Sequence, residues 1–413
     1  MANRSIIVGL DVGTTKVAVC VGQLQEDMLN IIGYGIAPNA GFRKGVVADL
    51  EETISAISAA LEEAERTSGV PIHQAYVSIN GTHIISTLSK GVIAVSRADG
   101  EISQADTERA LEAARAVALP PNRELIHVIP RKYVIDSQEG VSDPVGMSGI
   151  RLEVETLVIG GASSAIKNLS KCAYQAGLEV KDMIFSPLAT AKGLLSKKQK
   201  EHGVILIDIG AGTTTYIVYE EGEVSRTNVL PVGSSSITND IAIGLRTNLE
   251  LAEKIKIIHG IASPDKIRDS EKVDLSELDD KENQRVPKKF IAEIIEARLN
   301  EIFTMIKDDL KGLDSEGRLP AGVVLTGGGS KLEGMVDYVK ERLKLPVQIG
   351  NPLLEISGLV DKLDDPSYAT CIGLMIWGIF ETAETTPTTS KVDMKQFGSV
   401  VDKAKGFFKQ FMP

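Results

Sequence analysis

The 413 residues are 43% hydrophobic and 24% charged, a composition that excludes a wholly disordered chain and has room for about two to four compact units. With Lys and Arg totalling 45 against 56 Asp and Glu, the net charge of -11 argues against any broad nucleic-acid-binding surface. The three cysteines, Cys20, Cys172 and Cys371, are scattered through apolar stretches, which predicts reduced buried thiols and no disulfide framework. His73, His83, His127, His202 and His259 are too widely spaced for a zinc site and read as core or surface histidines.

Taken in chain order, the apolar run Ile6 to Leu10 is too short for a secretory segment. It predicts a buried strand ending at Asp11, a Gly/Thr turn through Lys16, and a second strand over Val17 to Val21, together a hairpin. An acidic start followed by Ala, Leu and Ile on one face predicts a helix over Asp49 to Ser68. Ser103, with Asp106 three residues on, opens a second helix that runs to Ala118 before Pro120-Pro121. Strands are predicted over Leu125 to Ile135 and Arg151 to Ile159, around a Gly/Pro/Ser-rich loop from Gly140 to Gly149.

Val204 to Tyr219 then repeats the opening pattern. A β-branched strand reaches Asp208, a turn runs Gly210-Ala211-Gly212-Thr213-Thr214, and a strand follows. The two aspartates are 197 residues apart, too far for a solenoid period, which predicts two related domains facing each other. Asp265 to Arg285 is charged and weakly patterned and reads as a surface excursion, followed by an amphipathic helix over Val286 to Leu310. Gly322 to Leu332 reads as a strand, a glycine-rich turn and a helix beginning near Leu332. The apolar stretch Cys371 to Phe380 falls short of the ~20 residues that span a bilayer. Glu381 to Ser390, with five Thr and one Pro, predicts a flexible linker.

Gly/Thr turns between strands present unobstructed backbone N–H groups, with Thr hydroxyls beside them, and so suit phosphate oxygens. Lys16 adds a cation for a terminal phosphate, and an aspartate at a strand end can orient waters on Mg²⁺. One such hairpin also fits a plain turn; two in one chain, followed by Gly327-Gly328-Gly329-Ser330, point to a nucleotide.

That order resembles the actin, Hsp70 and sugar-kinase superfamily. Pro187-Leu188-Ala189-Thr190-Ala191-Lys192-Gly193 and Pro366-Ser367-Tyr368-Ala369-Thr370-Cys371-Ile372-Gly373 look like its two connecting helices. Within the superfamily the chain resembles the FtsA family of bacterial cell-division proteins over nearly its whole length. The resemblance is carried by Leu125 to Pro130, Asp143 to Glu153, Ile237 to Ala242, Ala252 to Lys256 and Ile294 to Arg298. It implies an α/β, actin-like fold of two lobes of duplicated ribonuclease-H-like domains. Residues 1–85, 163–197 and 364–380 would form subdomain 1A, and the inserted 86–162 subdomain 1C. Residues 198–227 with 318–363 would form 2A, 228–317 would form 2B, 381–396 a flexible linker and 397–413 a membrane-binding amphipathic helix.

The resemblance further implies ATP between the lobes. Its phosphates would meet Asp11, Gly13, Thr14, Thr15 and Lys16 on one side and Asp208, Gly210, Gly212, Thr213 and Thr214 on the other. Its adenosine would meet Glu253, Lys256 and Gly327 to Ser330 (Gly327, Gly328, Gly329, Ser330), and Asp11 and Asp208 would hold Mg²⁺ through water. Ser186 to Lys192 lacks the glutamine with which actins place the attacking water, which implies binding with at most slow ATP hydrolysis. The implied role is a polymerising adaptor that tethers the tubulin-like protein FtsZ to the inner face of the plasma membrane at the division site, alongside other division proteins. The FtsZ C-terminal peptide would meet Lys288, Lys289 and Arg298. A pilus-assembly adaptor and a sugar or small-acid kinase are the alternatives, of which the kinase leaves the insert and the tail unexplained.

The tail has its own reading. Phe397, Val400, Val401, Ala404, Phe407, Phe408 and Phe411 fall on one helical face, with Met412 beside them, and four of the nine Phe are here. From Lys391 five Lys stand against two Asp, so the tail is +3 and the rest of the chain -14. A basic, Phe-rich amphipathic helix beyond a linker predicts an anchor at an anionic membrane surface, where docking on the chain's own body or on another subunit is the alternative.

Overall fold

The structure is a computed structural model that describes residues 6–25, 28–97, 99–116, 119–280, 282–311, 319–353, 356–359 and 365–384. Val8, Leu10, Val12, Val17, Val19 and Val21 of the first hairpin pack on one side of a sheet, while Ile7, Ala18 and Cys20 pack on the other. Both sheet faces are therefore covered, which explains strands that read as continuous apolar runs. The sheet is ordered Glu179–Phe185, Gln74–Ile79, Ile6–Val12, Lys16–Gln25, Met28–Pro38, Ile356–Gly358. A second sheet runs Glu223–Leu230, Thr214–Glu220, Val204–Ile209, Val323–Thr326, Val347–Ile349. Each holds three antiparallel strands followed by parallel neighbours, with Asp11 opposite Ala18 in one and Asp208 opposite Thr215 in the other. The duplication read from the two hairpins thus extends to whole sheets.

Helix Leu50–Ser68 covers one face of the first sheet, capped by Asp49, which accepts from the Glu52 N–H, and closed by Gly69 at φ 71°. The insert is a sheet ordered Ile85–Ala94, Arg151–Ala162, Arg123–Ile135, Gln138–Val141, with helix Gln104–Arg115 laid across it. Ser103 and Asp106 form the expected reciprocal cap at the start of that helix. Leu157 and Ile159 at the base of the insert join the core of Phe185, Leu188 and Leu206, which roots it between the lobes. His127, in the same base, accepts from the Phe185 N–H at 3.0 Å and is held neutral by burial, its pKa pushed down to about 4. The three cysteines are free and buried.

Several local expectations change. The long helix is Lys288–Leu310, because Arg285–Pro287 instead pairs with Lys272–Asp274 in a two-stranded sheet. The charged excursion is partly core, since Val273, Leu275 and Val286 are buried against that helix. Sequence patterning missed this because isolated apolar residues among charges form no period. After the glycine turn comes a short 3-10 turn, Gly328–Lys331, and the helix begins only at Met335. Gly334, at φ 78°, interposes a left-handed step that delays it.

The connecting helices are Ser186–Leu194 and Ala369–Glu384. The second continues past the expected start of the linker at Glu381, whose carboxylate accepts from the Trp377 indole N–H at 3.2 Å. The helices cross at Gly193 and Gly373, and the Thr190 and Thr370 hydroxyls lie 3.0 Å apart. A Cβ on Gly373 would stand 2.2 Å from the Ala189 carbonyl oxygen, on backbone that cannot give way. Gly373→Val is expected to destabilise the chain by about 3 kcal/mol or more, read as a lowered urea midpoint. A midpoint equal to wild type would show that the crossing is not as close as described.

Among the described residues, no helix is long and apolar enough to cross a membrane.

Candidate functional site: the cleft between the lobes

Both hairpins close the same way. The Gly13 N–H donates to the Lys16 carbonyl at 2.9 Å, and the Gly210 N–H to the Thr213 carbonyl at 3.0 Å. In this register Lys16 and Thr213 are counterparts, so the duplicated loops share one lysine between them. The loops meet tip to tip: a Cβ on Gly212 would lie 2.5 Å from the Thr14 hydroxyl oxygen. The glycine turn closes a third side, because a Cβ on Gly327 would lie 2.2 Å from Asp208 Oδ1. Asp11, Gly13, Thr14, Lys16, Asp208, Gly210, Gly212 and Gly327 are therefore brought together. Thr15 is exposed beside them. Thr214 is not at the cleft. It shares a strand face with Tyr216 and Val218 of the second-lobe core, and its buried hydroxyl has no partner among the described residues.

Burial raises the Asp11 carboxyl, opposed by the Ser78 hydroxyl, which donates to Asp11 Oδ1 at 2.6 Å, and by Lys16. Burial and then the Asp11 carboxylate push Asp208 up to about 7, opposed by the Thr370 hydroxyl and Lys16. Burial lowers the Lys16 ammonium, while the carboxylates of Asp11 and Asp365 draw it back. Two buried carboxylates facing one ammonium leave a site short of positive charge. That donor set fits a hard divalent cation held through water.

The same imbalance predicts a pH effect. The folded chain keeps a proton on Asp208 that the unfolded chain, at 3.8, releases. Its contribution to stability is full below 3.8 and is lost as the pH rises through about 7. Glu223, also pushed up to about 7 by burial, adds to the slope. The melting temperature of nucleotide-free protein is expected to fall between about pH 4 and about pH 7, and Asp208→Asn to flatten that fall. An unchanged slope in Asp208→Asn would place the proton elsewhere.

The Gly210 and Ala211 carbonyls accept from the Ser234 and Ser235 N–H groups, seating the helix Ser234–Leu245 on the second loop. Lys256 donates to Glu253 at 2.7 Å, to the Thr238 hydroxyl at 2.9 Å and to the Ser234 carbonyl at 3.3 Å, while the Thr238 hydroxyl donates to Glu253. Glu253 and Lys256 are thus tied to the element that supports the second loop, which goes beyond a solvated i,i+3 pair. A cavity of about 530 Å³ lies beside the glycine turn, lined by Ser330, Lys331, Leu332, Met335 and Pro366 among others. Of the six expected adenosine contacts only Ser330 lines it.

Lys289 pairs with Asp269 at 2.7 Å, and Arg298 grips Asp240 through two bonds of 2.6 and 2.9 Å and also pairs with Glu301. An acidic peptide would have to displace those partners, whereas Lys288 makes no salt bridge among the described residues. Phe397, Val400, Val401, Ala404, Phe407, Phe408, Phe411 and Met412, with the linker beyond Glu384, lie outside the described residues. Sequence reading missed Ser78, Thr238 and Asp365, together with Asn39, whose side-chain amide donates to the Gly13 carbonyl at 2.9 Å, and Ser367 and Tyr368, which meet the Lys16 ammonium. Ser367 and Tyr368 stand in the second connecting-helix motif and could have been flagged there; Ser78 carries no local signal.

The sequence model described as Cell division protein FtsA matches residues 205–373, and that of the SHS2 domain inserted in FTSA matches residues 81–160. The chain is 41% identical to Cell division protein FtsA of Pseudomonas aeruginosa over 375 residues, 91% of this chain and 89% of that protein. It is 38% identical to that of Bacillus subtilis over 91% of this chain and 84% of the relative. Against that of Escherichia coli K12 it is 34% identical, over 91% of each. Among solved structures, the PilM-PilN type IV pilus biogenesis complex superposes with a TM-score of 0.68 at 18% identity, over 91% of this chain and 99% of that one. MreB5 of Spiroplasma citri bound to ADP superposes at 0.55 with 14% identity, over 93% and 99%. These likenesses bear out the actin-like two-lobed fold with its inserted subdomain.

Proposed function

This chain belongs to the FtsA family of bacterial cell-division proteins, and from that membership we propose that it is an actin-like ATP-binding protein that polymerises and tethers FtsZ filaments to the inner face of the plasma membrane. The observation that carries the nucleotide part is the meeting of two like hairpins, Thr14 against Gly212, with Gly327 closing on Asp208. Lys16 and the N–H groups of both loops bind the phosphates, Asp11 and Asp208 hold Mg²⁺ through water, and Glu253, Lys256 and the glycine turn flank the adenosine. That MreB5 was solved with ADP supports a nucleotide in this fold.

In the proposed division of the chain, residues 228–317 form the subdomain that takes the FtsZ C-terminal peptide. Lys288 offers the accessible cation there, and Lys289 and Arg298 exchange their present carboxylate partners for those of the peptide. Self-association has support in Ile243, Leu249, Ile257 and Ile258, large apolar side chains exposed on two adjoining helices. Residues 397–413 are the membrane-binding segment. The test of the adaptor role is capture of this chain by an immobilised FtsZ C-terminal peptide, weakened by Lys288→Glu. Failure of the wild-type chain to bind would remove FtsZ as the partner while leaving the nucleotide site standing.

A further inference from the structure

Lys16 is the lone cation of the paired phosphate loops, and its ammonium has an unusual host. Nζ donates to the Ser367 hydroxyl at 2.7 Å and sits 3.7 Å from the centre of the Tyr368 ring. Among the described residues no carboxylate pairs with it at salt-bridge distance. Both hosts belong to the 3-10 turn Pro366–Tyr368, which Asp365 caps by accepting from the Ser367 N–H at 2.9 Å.

The turn is fixed to the glycine-rich loop as well. The Gly327 N–H and the Thr326 hydroxyl both donate to the Pro366 carbonyl, at 3.2 and 3.0 Å, and the Lys331 ammonium pairs with Asp365. It then runs straight into the second connecting helix, Ala369–Glu384. One short segment therefore touches the lysine of the first loop and the backbone of the third.

A buried ammonium needs partners, but a carboxylate partner would cancel the charge that a phosphate requires. A hydroxyl oxygen and an aromatic face stabilise the cation and leave that charge in place. Resting on the nucleotide reading above, we propose that Ser367 and Tyr368 are positioning residues for Lys16, holding its ammonium at the phosphate end of the cleft without neutralising it. They act on the terminal phosphates through Lys16 and have no part in recognising adenosine.

The full chain is titrated with Mg·ATP and with adenosine, as wild type and as Tyr368→Leu, Tyr368→Phe and Ser367→Ala. Tyr368→Leu is expected to weaken ATP by about threefold to tenfold and leave adenosine unchanged, while Tyr368→Phe, which keeps the ring face, restores wild-type binding. Ser367→Ala is expected to act in the same direction, and it keeps the test alive if Tyr368→Leu does not fold. In a Lys16→Ala background neither change should weaken ATP further. Equal losses for ATP and adenosine, failure of Tyr368→Phe to rescue, or full additivity with Lys16→Ala would overturn the proposal. A wild-type chain that takes up no ATP would instead overturn the nucleotide reading, and the proposal with it, before any variant is compared.

Discussion

Asp208→Ala and Lys16→Ala are each expected to weaken Mg·ATP binding by about tenfold or more, since charge-assisted contacts in buried sites are worth roughly 1.5–3 kcal/mol. Asp208 lies where the second loop and the glycine turn converge, and on the proposed reading its loss would remove an acceptor for metal-bound water. Lys16 is the lone cation of the two loops. The variants should differ in one respect: Asp208→Ala relieves a carboxyl that burial and Asp11 hold up at about 7, and it should raise the stability of the nucleotide-free chain at alkaline pH. Lys16→Ala removes a charge that offsets both carboxylates and should lower that stability. Calorimetric titration and melting curves measure both effects, and unchanged titrations for both variants would sink the site. Bound ATP is expected to turn over slowly, because the first connecting helix, Ser186–Leu194, offers no Gln or Glu to place water. Rapid Mg²⁺-dependent hydrolysis would reveal a catalytic group elsewhere.

The other large effect belongs to the tail. Apolar burial stabilises by roughly 25 cal/mol per Å², so a few hundred Å² of a Phe-rich face supplies several kcal/mol, and each Lys near an anionic surface adds about 1 kcal/mol. Were the tail to order as a helix at the surface, that ordering and the lost freedom would offset much of this, so the proposed anchor would bind singly only marginally and reversibly. On the proposed reading a filament would present many tails, and each further insertion would proceed at high effective concentration. Membrane binding should therefore rise steeply with protein concentration, with ATP-supported assembly and with anionic lipid. Phe407→Asp combined with Phe408→Asp is expected to abolish liposome co-sedimentation while ATP binding stays intact. The informative truncation is after Glu384, since Phe380 packs in the core and the second connecting helix continues to that residue. Sedimentation of the truncated chain with liposomes, or wild-type binding indifferent to blocked assembly, would refute the anchor.

How much was legible follows from the range over which each feature is encoded. The two hairpins, the glycine turn, the capped helices Leu50–Ser68 and Gln104–Arg115 and the buried cysteines were readable because strand alternation, turn glycines and caps act within a few residues. The repeat of one local pattern at Asp11 and Asp208 was enough to predict facing domains. Local encoding also set the errors. Val273 and Leu275 are core residues without a periodic neighbourhood, and the delayed start of the helix at Met335 depends on a single left-handed glycine.

What surrounds the cleft was decided by tertiary structure alone. Ser78 reaches Asp11 across 67 positions of sequence, Lys16 meets Ser367 across 351, and Thr190 meets Thr370 across 180. No propensity or spacing links such pairs, because their proximity arises only when two sheets and two crossing helices have packed. The same holds for the cations of helix Lys288–Leu310: the sequence placed Lys289 and Arg298 on one helix, but only the packed structure showed that Asp269 and Asp240 already hold them. Local chemistry determined which loops present the unobstructed N–H groups that suit a phosphate; burial and long-range packing determined how much charge each loop residue has left to offer.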